Sequence, residues 1–296
     1  MVTFAHTVNV MVVFSGSALS LCVDCAVMNL LLSAPLCFLL CSMLPVDSMM
    51  ISLSFTSQDV KQPVPLNMAD DAVDDMYDGC RENMTKKVNN KYFKKENTGK
   101  FKSVWKRAEP CVNRTMKQKD PKDKALTREH MQAICVYTSS TGKFYRIFND
   151  AVRTGRSKYG TSFPYHSLHF WLTTAVQILN KEKKCETTYR RTNLDFTGKV
   201  NQKMRFGSFT STAKTTPSMN FGQKTCFKIQ TCSGAYLKHY TYLNDEEKEV
   251  LIPPYEVFNI TGKKNGRDVK ELDDCEVVYL LKSIRVLSNL NCKAVK

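Results

Sequence analysis

The first sixty residues contain no lysine or arginine, so all 43 basic residues belong to the rest of the 296-residue chain. This stretch is dominated by apolar runs broken by small residues, unlike the composition of a packed domain. The run from Met28 to Asp47 has the length of a signal-peptide core with a polar exit, and it is short for a membrane span. We predict a hydrophobic leader over residues 1–57 and a single domain over 58–296. The leader is either removed, which gives a secreted protein, or kept as an uncleaved membrane anchor.

Paired C-x-x-C knuckles are missing after the leader, which argues against a zinc site. The eight cysteines that follow it are widely spaced and even in number, as is typical of disulfides in an oxidising compartment. Sequons at Asn83, Asn113 and Asn259 agree with secretion. No apolar stretch follows Val286, so we expect no GPI anchor. These features predict a secreted, disulfide-bonded glycoprotein with no metal ion and no membrane span in its mature form.

Glycine-rich phosphate loops of the G-x-G-x-x-G or P-loop type are also absent, which argues against a Rossmann or Walker nucleotide site. The polar, basic stretch from Met68 to Glu129 has few aromatic residues among its lysines and no stacking series. We therefore interpret it as a solvated face and expect no nucleic-acid partner.

Helical and extended patterns occupy different halves of the chain. Two segments have apolar residues at helical spacing, and these are Phe144, Ile147, Phe148 and Val152, then Leu168, Leu172, Ala175 and Leu179. After Lys184 the pattern changes to short β-rich segments, and nothing resembles repeated βαβ units. Helices first and strands later predict an α+β domain with antiparallel sheets.

A pair of carboxylates, Glu247 and Glu249, stands at the start of an apolar run that ends at a Pro-Pro pair. In an extended strand these two side chains share a face. Two acids on one face can divide the work of breaking a glycosidic bond, since one stabilises positive charge on the sugar and the other handles a proton. The alternative is a solvated acidic turn before a buried strand, and the spacing alone does not decide between them.

Three motifs of the β-rich half occur in the order Y-R-R-T, R-F-G-S-F-T-S-T-A and E-K-E. The order Arg, Ser, E-x-E resembles that of the arginine-specific ADP-ribosyltransferases. The surrounding sequence from Met68 to Cys292 is similar to the vertebrate ecto-enzymes of that family, in stretches such as D-D-M-Y-D-G-C, F-N-D-A-V-R, L-H-F-W-L-T and E-V-L-I-P-P-Y-E-V-F.

The resemblance implies a helical N-terminal half packed on a core of two antiparallel β-sheets, with NAD+ as co-substrate. Glu249 matches the catalytic glutamate that stabilises the sugar cation formed as nicotinamide leaves. Glu247 matches the acid that directs transfer to arginine. Arg190 matches the arginine that holds the NAD+ phosphates, for which its planar fork is suited.

Four further positions follow from the same resemblance. Ser211 matches the serine that positions the catalytic glutamate and the nicotinamide ribose. Phe221 resembles the aromatic residue that stacks on nicotinamide, and Tyr137 resembles a tyrosine near the dinucleotide, although either could equally be a core residue. Ser208, at a position where glutamine is common, is also assigned to the NAD+ site. Arg191 replaces the usual glycine beside the phosphate site and is expected to affect NAD+ affinity or the balance of transfer and hydrolysis.

The resemblance also implies disulfides Cys80–Cys292 and Cys185–Cys232, and leaves the other four cysteines unassigned. The leading hypothesis is a secreted, monomeric mono-ADP-ribosyltransferase that modifies arginine on extracellular proteins. One alternative is an NAD glycohydrolase that uses the same site. Another is a secreted basic protein that binds anionic partners, which the net charge of +15 suggests.

Overall fold

The structure is a computed structural model that describes residues 62–295. The predicted leader over residues 1–57, with its four cysteines, lies outside the described residues. Within the described range, no helix is both long enough and apolar enough to cross a membrane.

The N-terminal half consists of helices, with bounds α1 Arg81–Lys87, α2 Phe93–Glu96, α3 Gly99–Arg107, α4 Glu109–Lys117, α5 Arg128–Tyr137, α6 Phe144–Thr154 and α7 His166–Leu179. A π-helical turn, Val88–Tyr92, connects α1 to α2 without a break. The central helix is α7, in which every residue from His166 to Val176 is buried. A helix buried on all sides lies in the middle of a core.

The two helices predicted from apolar spacing are confirmed as α6 and α7. Phe144, Phe148 and Val152 of α6 face the core, whereas Ile147 is 40% exposed. Since α6 packs on the core through one stripe, an apolar residue beside that stripe remains in solvent.

The C-terminal half consists of strands, with bounds β1 Val64–Pro65, β2 Glu186–Thr192, β3 Phe196–Thr197, β4 Lys203–Met204, β5 Thr210–Ala213, β6 Thr225–Thr231, β7 Ala235–Tyr236, β8 Glu249–Ile252, β9 Glu256–Lys264 and β10 Val277–Val286. Strands β1 and β3 form a small parallel pair. The other eight form one hydrogen-bonded ladder in the order β4-β9-β10-β6-β2-β5-β8-β7.

The predicted α+β class is confirmed, but the strands differ from the expected two antiparallel sheets in being hydrogen-bonded into one ladder. One of its pairs, β6 with β10, is parallel. The ladder is nevertheless almost divided, because β2 and β5 pair only at Tyr189 and Ala213. A five-stranded part (β4-β9-β10-β6-β2) and a three-stranded part (β5-β8-β7) therefore diverge at this point.

Two hydrophobic cores lie on either side of the three-stranded part. Leu251 of β8 belongs to the core shared with the helices, whereas Ile252 belongs to the core formed with the other strands. This alternation follows from the two-residue period of a strand. It places every second side chain of β5 and β8 against the helices.

Four disulfides tie these elements together. The two pairs that the family resemblance implies, Cys80–Cys292 and Cys185–Cys232, are both present. The cysteines left unassigned pair as Cys111–Cys135, which joins α4 to α5, and Cys226–Cys275, which joins β6 to the segment before β10.

Candidate active site

Ser211 and Glu249 meet on the three-stranded part of the ladder. In the antiparallel pairing of β5 and β8, Ser211 lies opposite Leu251 and Ala213 lies opposite Glu249. All four side chains therefore share the face that packs toward the helices. The Ser211 hydroxyl donates a hydrogen bond of 2.5 Å to Glu249 Oε1. The carboxylate is thus held in a fixed position by its neighbouring strand.

Arg190 spans the division between the two parts of the ladder. It lies on β2, paired with Phe227 of β6, and its Nη1 donates a 2.7 Å hydrogen bond to the Ser211 carbonyl oxygen. The side chain is 1% exposed, and no hydrogen-bond partner for its Nε exists among the described residues. A buried guanidinium with an unpartnered Nε donor fits an anionic ligand such as a phosphate.

The electrostatics of Glu249 are unusual for a carboxylate. The side chain is 3% exposed, and burial raises its pKa to about 8. The nearby charge of Glu247 also raises this pKa, whereas the hydrogen bond from Ser211 and the charge of Arg190 lower it. Burial likewise lowers the pKa of Arg190 to about 10, against the opposing effect of Tyr137, Tyr145 and Glu249. Perturbed acids and bases of this kind cluster at functional sites.

Tyr137, on helix α5, lies near Ser211 and Glu249. It is the last residue of α5, and its hydroxyl donates to the Phe209 carbonyl oxygen at 2.9 Å and accepts from Asn149 Nδ2 at 3.2 Å. Burial raises the pKa of Tyr137, and Ser211, Glu249 and Arg190 all contribute to its electrostatic environment. The phenol therefore stays protonated beside the carboxylate.

Glu247 does not lie on the strand that its spacing with Glu249 predicted. Strand β8 begins at Glu249, and Glu247 belongs to the preceding turn. The intervening residue, Lys248, has φ of 46°, a left-handed conformation that breaks the extended geometry. The prediction that both acids share one face of an extended strand was therefore wrong. They are still close enough for the charge of Glu247 to affect the pKa of Glu249.

Ser208 and Phe221 have no side-chain hydrogen bond or ring contact with the Arg190, Ser211 and Glu249 cluster among the described residues. Ser208 is fully buried, and its hydroxyl has no partner within residues 62–295. Phe221 ends a short 3-10 turn, is half-buried, and precedes Gly222, which lies so close to the backbone of Thr192 that a Cβ would be 2.2 Å from its carbonyl carbon. Gly222 therefore fixes this turn against the end of β2. No ring pair joins Phe221 to another aromatic residue of the described chain.

Arg191 does not lie beside Arg190 in the candidate site, contrary to the sequence-based expectation. Its guanidinium forms two 2.7 Å hydrogen bonds to Asp274 and contacts Cys275 Sγ at 3.3 Å. Successive residues of a strand point to opposite faces, so the extra charge is directed away from Arg190. Sequence reasoning missed two residues that do lie near the site, Asn149 and Tyr145. The spacing of Phe144, Phe148 and Val152 predicted helix α6 but not the contacts that its polar residues make.

Arg190, Ser211 and Glu249 are all buried in this structure. Two clefts, with volumes of about 740 and 410 Å3, are lined by other residues. The larger lies between the start of α1 and the end of α7, and the smaller lies beside the start of α3. Within the described residues, no group of three or more His, Cys, Asp or Glu side chains could hold a metal ion.

The chain resembles known proteins in sequence and in structure. Residues 66–275 match the family model described as NAD:arginine ADP-ribosyltransferase. The chain is 37% identical to the mouse (Mus musculus) T-cell ecto-ADP-ribosyltransferase 1 over 67% of this chain and 68% of that protein. It is 34% identical to the bovine (Bos taurus) ecto-ADP-ribosyltransferase 5 over 77% of this chain and 73% of that protein.

Among solved structures, the eukaryotic mono-ADP-ribosyltransferase ART2.2 superposes with a TM-score of 0.65 at 30% identity, covering 78% of this chain and 99% of that one. A mutant of the same protein in complex with NAD superposes with a TM-score of 0.63.

Proposed function

This chain belongs to the NAD:arginine ADP-ribosyltransferase family, and we propose that it transfers a single ADP-ribose from NAD+ to arginine side chains of extracellular proteins. The observation that carries the proposal is the Arg190, Ser211 and Glu249 cluster, where a buried guanidinium and a hydroxyl-held carboxylate meet. NAD+ is the co-substrate. When bound, it supplies the ADP-ribosyl group and nicotinamide as leaving group, with positive charge developing on the ribose carbon.

Each residue of the cluster has a role that its contacts permit. Arg190 is buried and its Nε has no partner among the described residues, so its guanidinium is suited to hold phosphate oxygens. Glu249 in its ionised form places a fixed negative charge beside the developing cation, which is preorganised electrostatic stabilisation. Ser211 orients this carboxylate and favours its charged form. We assign Tyr137, Ser208 and Phe221 to the walls of the same NAD+ site.

Glu247 is assigned to the incoming arginine. A guanidinium has only donors and does not lose its proton unaided, so it needs an acceptor and a base to become a nucleophile. Glu247 lies on a half-exposed turn ahead of the buried Glu249. It can therefore meet a side chain that arrives from solvent, while Glu249 acts on the sugar.

The exposure of the turn that carries Glu247 also supports the alternative function, NAD+ hydrolysis. A half-exposed Glu247 leaves a route for water toward the sugar, and water reacts with a sugar cation without needing a base. Purified full-chain protein incubated with labelled NAD+ distinguishes the two activities. Transfer predicts label on agmatine, a small guanidinium acceptor, in proportion to nicotinamide released. Nicotinamide release with no labelled agmatine would establish hydrolysis instead.

We further propose that the mature protein is a secreted monomer consisting of residues 58–296. Four disulfides support an oxidising compartment. Protein in the medium whose first residue lies near 58 would support this assignment. Protein retained in the membrane fraction with its leader intact would favour the anchored alternative.

A further inference from the structure

The net positive charge of this protein is concentrated in one short part of the helical half. Residues 81–107 contain ten lysines and arginines and two glutamates, a net charge of +8, whereas the whole chain of 296 residues carries +15. The enzymatic proposal uses none of these residues. A charge density of this kind is the signature of a binding surface for polyanions.

The two acids in this part do not neutralise it. Glu96 is buried and accepts hydrogen bonds from the backbone N–H groups of His166 and Ser167. Its carboxylate therefore binds the first N–H groups of α7 and does not pair with the lysines. Glu82 lies at the other end, in the first turn of α1. Seven exposed lysines of residues 81–107 have no ion pair with any acid of the described residues. We call five of them the basic face: Lys91, Lys94, Lys95, Lys102 and Lys106.

The geometry of the helices directs the basic face to solvent. Met84, Val88 and Tyr92 recur every four residues and are buried, so they anchor the rod formed by α1, the π-turn and α2. Lys91, Lys94 and Lys95 lie on the exposed sides of that rod, whereas Lys102 and Lys106 lie on α3. Phe93 of α2 packs against Trp105 of α3, with ring centroids 5.0 Å apart. The two helices are therefore held side by side.

The spacing of the lysines forms short rows along each helix. Lys102 and Lys106 are four residues apart on α3, so they lie one above the other at a rise of about 6 Å. Lys91, in the π-turn, and Lys95, on α2, have the same separation in sequence. Beneath the lysines, Phe93 of α2 packs against Phe101 and Trp105 of α3 and so connects the two helices.

A cleft of about 410 Å3 adjoins this surface and suits a sugar chain. Lys95 and Lys100 both line it, and hydroxyls are supplied by Thr98, Thr161 and Ser162. Lysines supply charge for sulfate or carboxylate groups, and hydroxyls can exchange hydrogen bonds with sugar hydroxyls. We propose that the basic face and this cleft bind a sulfated polysaccharide of the extracellular matrix or cell surface.

Two other classes of polyanion fit less well. Peripheral binding to a membrane combines charge with inserted apolar side chains. The exposed large apolar side chains of the described chain all lie outside residues 81–107. Single-stranded nucleic acid is bound by free aromatic faces. Here Phe93, Phe101 and Trp105 are packed against one another.

The test compares two variants of the full chain with equal loss of charge. The face variant changes the five lysines of the basic face to glutamine. The control variant makes the same change at five exposed lysines of the strand half, Lys199, Lys203, Lys264, Lys270 and Lys282. Affinity for immobilised heparin is measured over a series of salt concentrations, because contacts with a polyanion set the salt dependence. Thermal melting verifies that both variants fold.

We expect the face variant to bind heparin at least about tenfold more weakly with a shallower salt dependence, and the control variant to stay within about threefold of the wild type. Chemically desulfated heparin should bind poorly to the wild type. Equal losses in the two variants would overturn the proposal, since total charge would then explain binding. Undiminished binding of desulfated heparin would also overturn it, as would tighter binding to phosphatidylserine vesicles or to DNA.

Discussion

The raised pKa of Glu249 makes a specific prediction for the pH dependence of NAD+ cleavage. Only the ionised carboxylate can stabilise a sugar cation, and burial raises its pKa to about 8. The value of kcat/KM for nicotinamide release reports the ionisation of the free enzyme. It should therefore rise about tenfold per pH unit up to a midpoint near 8 and then level off.

Two neighbours of Glu249 should move this midpoint in opposite directions. Ser211→Ala removes a hydrogen bond that favours the charged form. A hydrogen bond to a charged group contributes roughly 1.5–3 kcal/mol, and one pKa unit is about 1.4 kcal/mol, so the midpoint should rise by about one to two units. Glu247→Gln removes a like charge, so the midpoint should fall.

The assay is nicotinamide release at NAD+ concentrations below KM, between about pH 5.5 and 10. Glu249→Gln serves as control, since its residual activity should lack the rising limb. A wild-type profile that is flat down to about pH 6 would show that ionisation of Glu249 does not limit nicotinamide release. A shift of the midpoint in the same direction by Ser211→Ala and Glu247→Gln would show that these two neighbours do not act on the charge of Glu249.

Three further predictions concern stability. Because the folded pKa of Glu249 is raised from 4.5 to about 8, this group favours folding below pH 4.5 and loses that contribution as pH rises through 8. Glu249→Gln should therefore gain stability over the wild type as pH rises, by roughly 3–5 kcal/mol at pH 8 in urea unfolding, and a pH-independent difference would contradict this. Replacing Cys111 and Cys135 together by serine should lower the free energy of unfolding by roughly 2–4 kcal/mol, with the other three disulfides still found by peptide mapping. Asp274→Asn should destabilise the fold by roughly 1–3 kcal/mol while leaving KM for NAD+ unchanged, because Arg191 points away from Arg190, and a raised KM would place Arg191 in the site after all.

The class of fold and the members of the cluster could be predicted from sequence, but the local geometry of the acids could not. The alternation rule for strands holds only where the chain is extended. Lys248 adopts a left-handed conformation, so the rule does not apply between Glu247 and Glu249. No pattern of hydrophobicity reports the φ angle of a single lysine, and so the error could not be avoided from sequence.

The same rule explains why Arg191 was assigned to the wrong face. Arg190 was identified by its motif, and the side chain of Arg191 was expected at the same site because it is the next residue. On β2 the two side chains point to opposite faces of the sheet, and Arg191 pairs with Asp274, which is 83 residues away in sequence. Contacts over such separations, like the disulfide Cys226–Cys275, depend on the order of strands in the ladder. The sequence patterns did not reveal that order.

Glu249 is assigned to the sugar and Glu247 to the acceptor, and two activities measured together distinguish these roles. Nicotinamide release and agmatine labelling are followed on the same preparations of wild type, Glu247→Gln and Glu249→Gln. We expect Glu249→Gln to lose both activities by about a hundredfold to a thousandfold, and Glu247→Gln to lose labelling while keeping much of its nicotinamide release. Wild-type nicotinamide release by Glu249→Gln, or proportional loss of both activities in Glu247→Gln, would contradict these assignments.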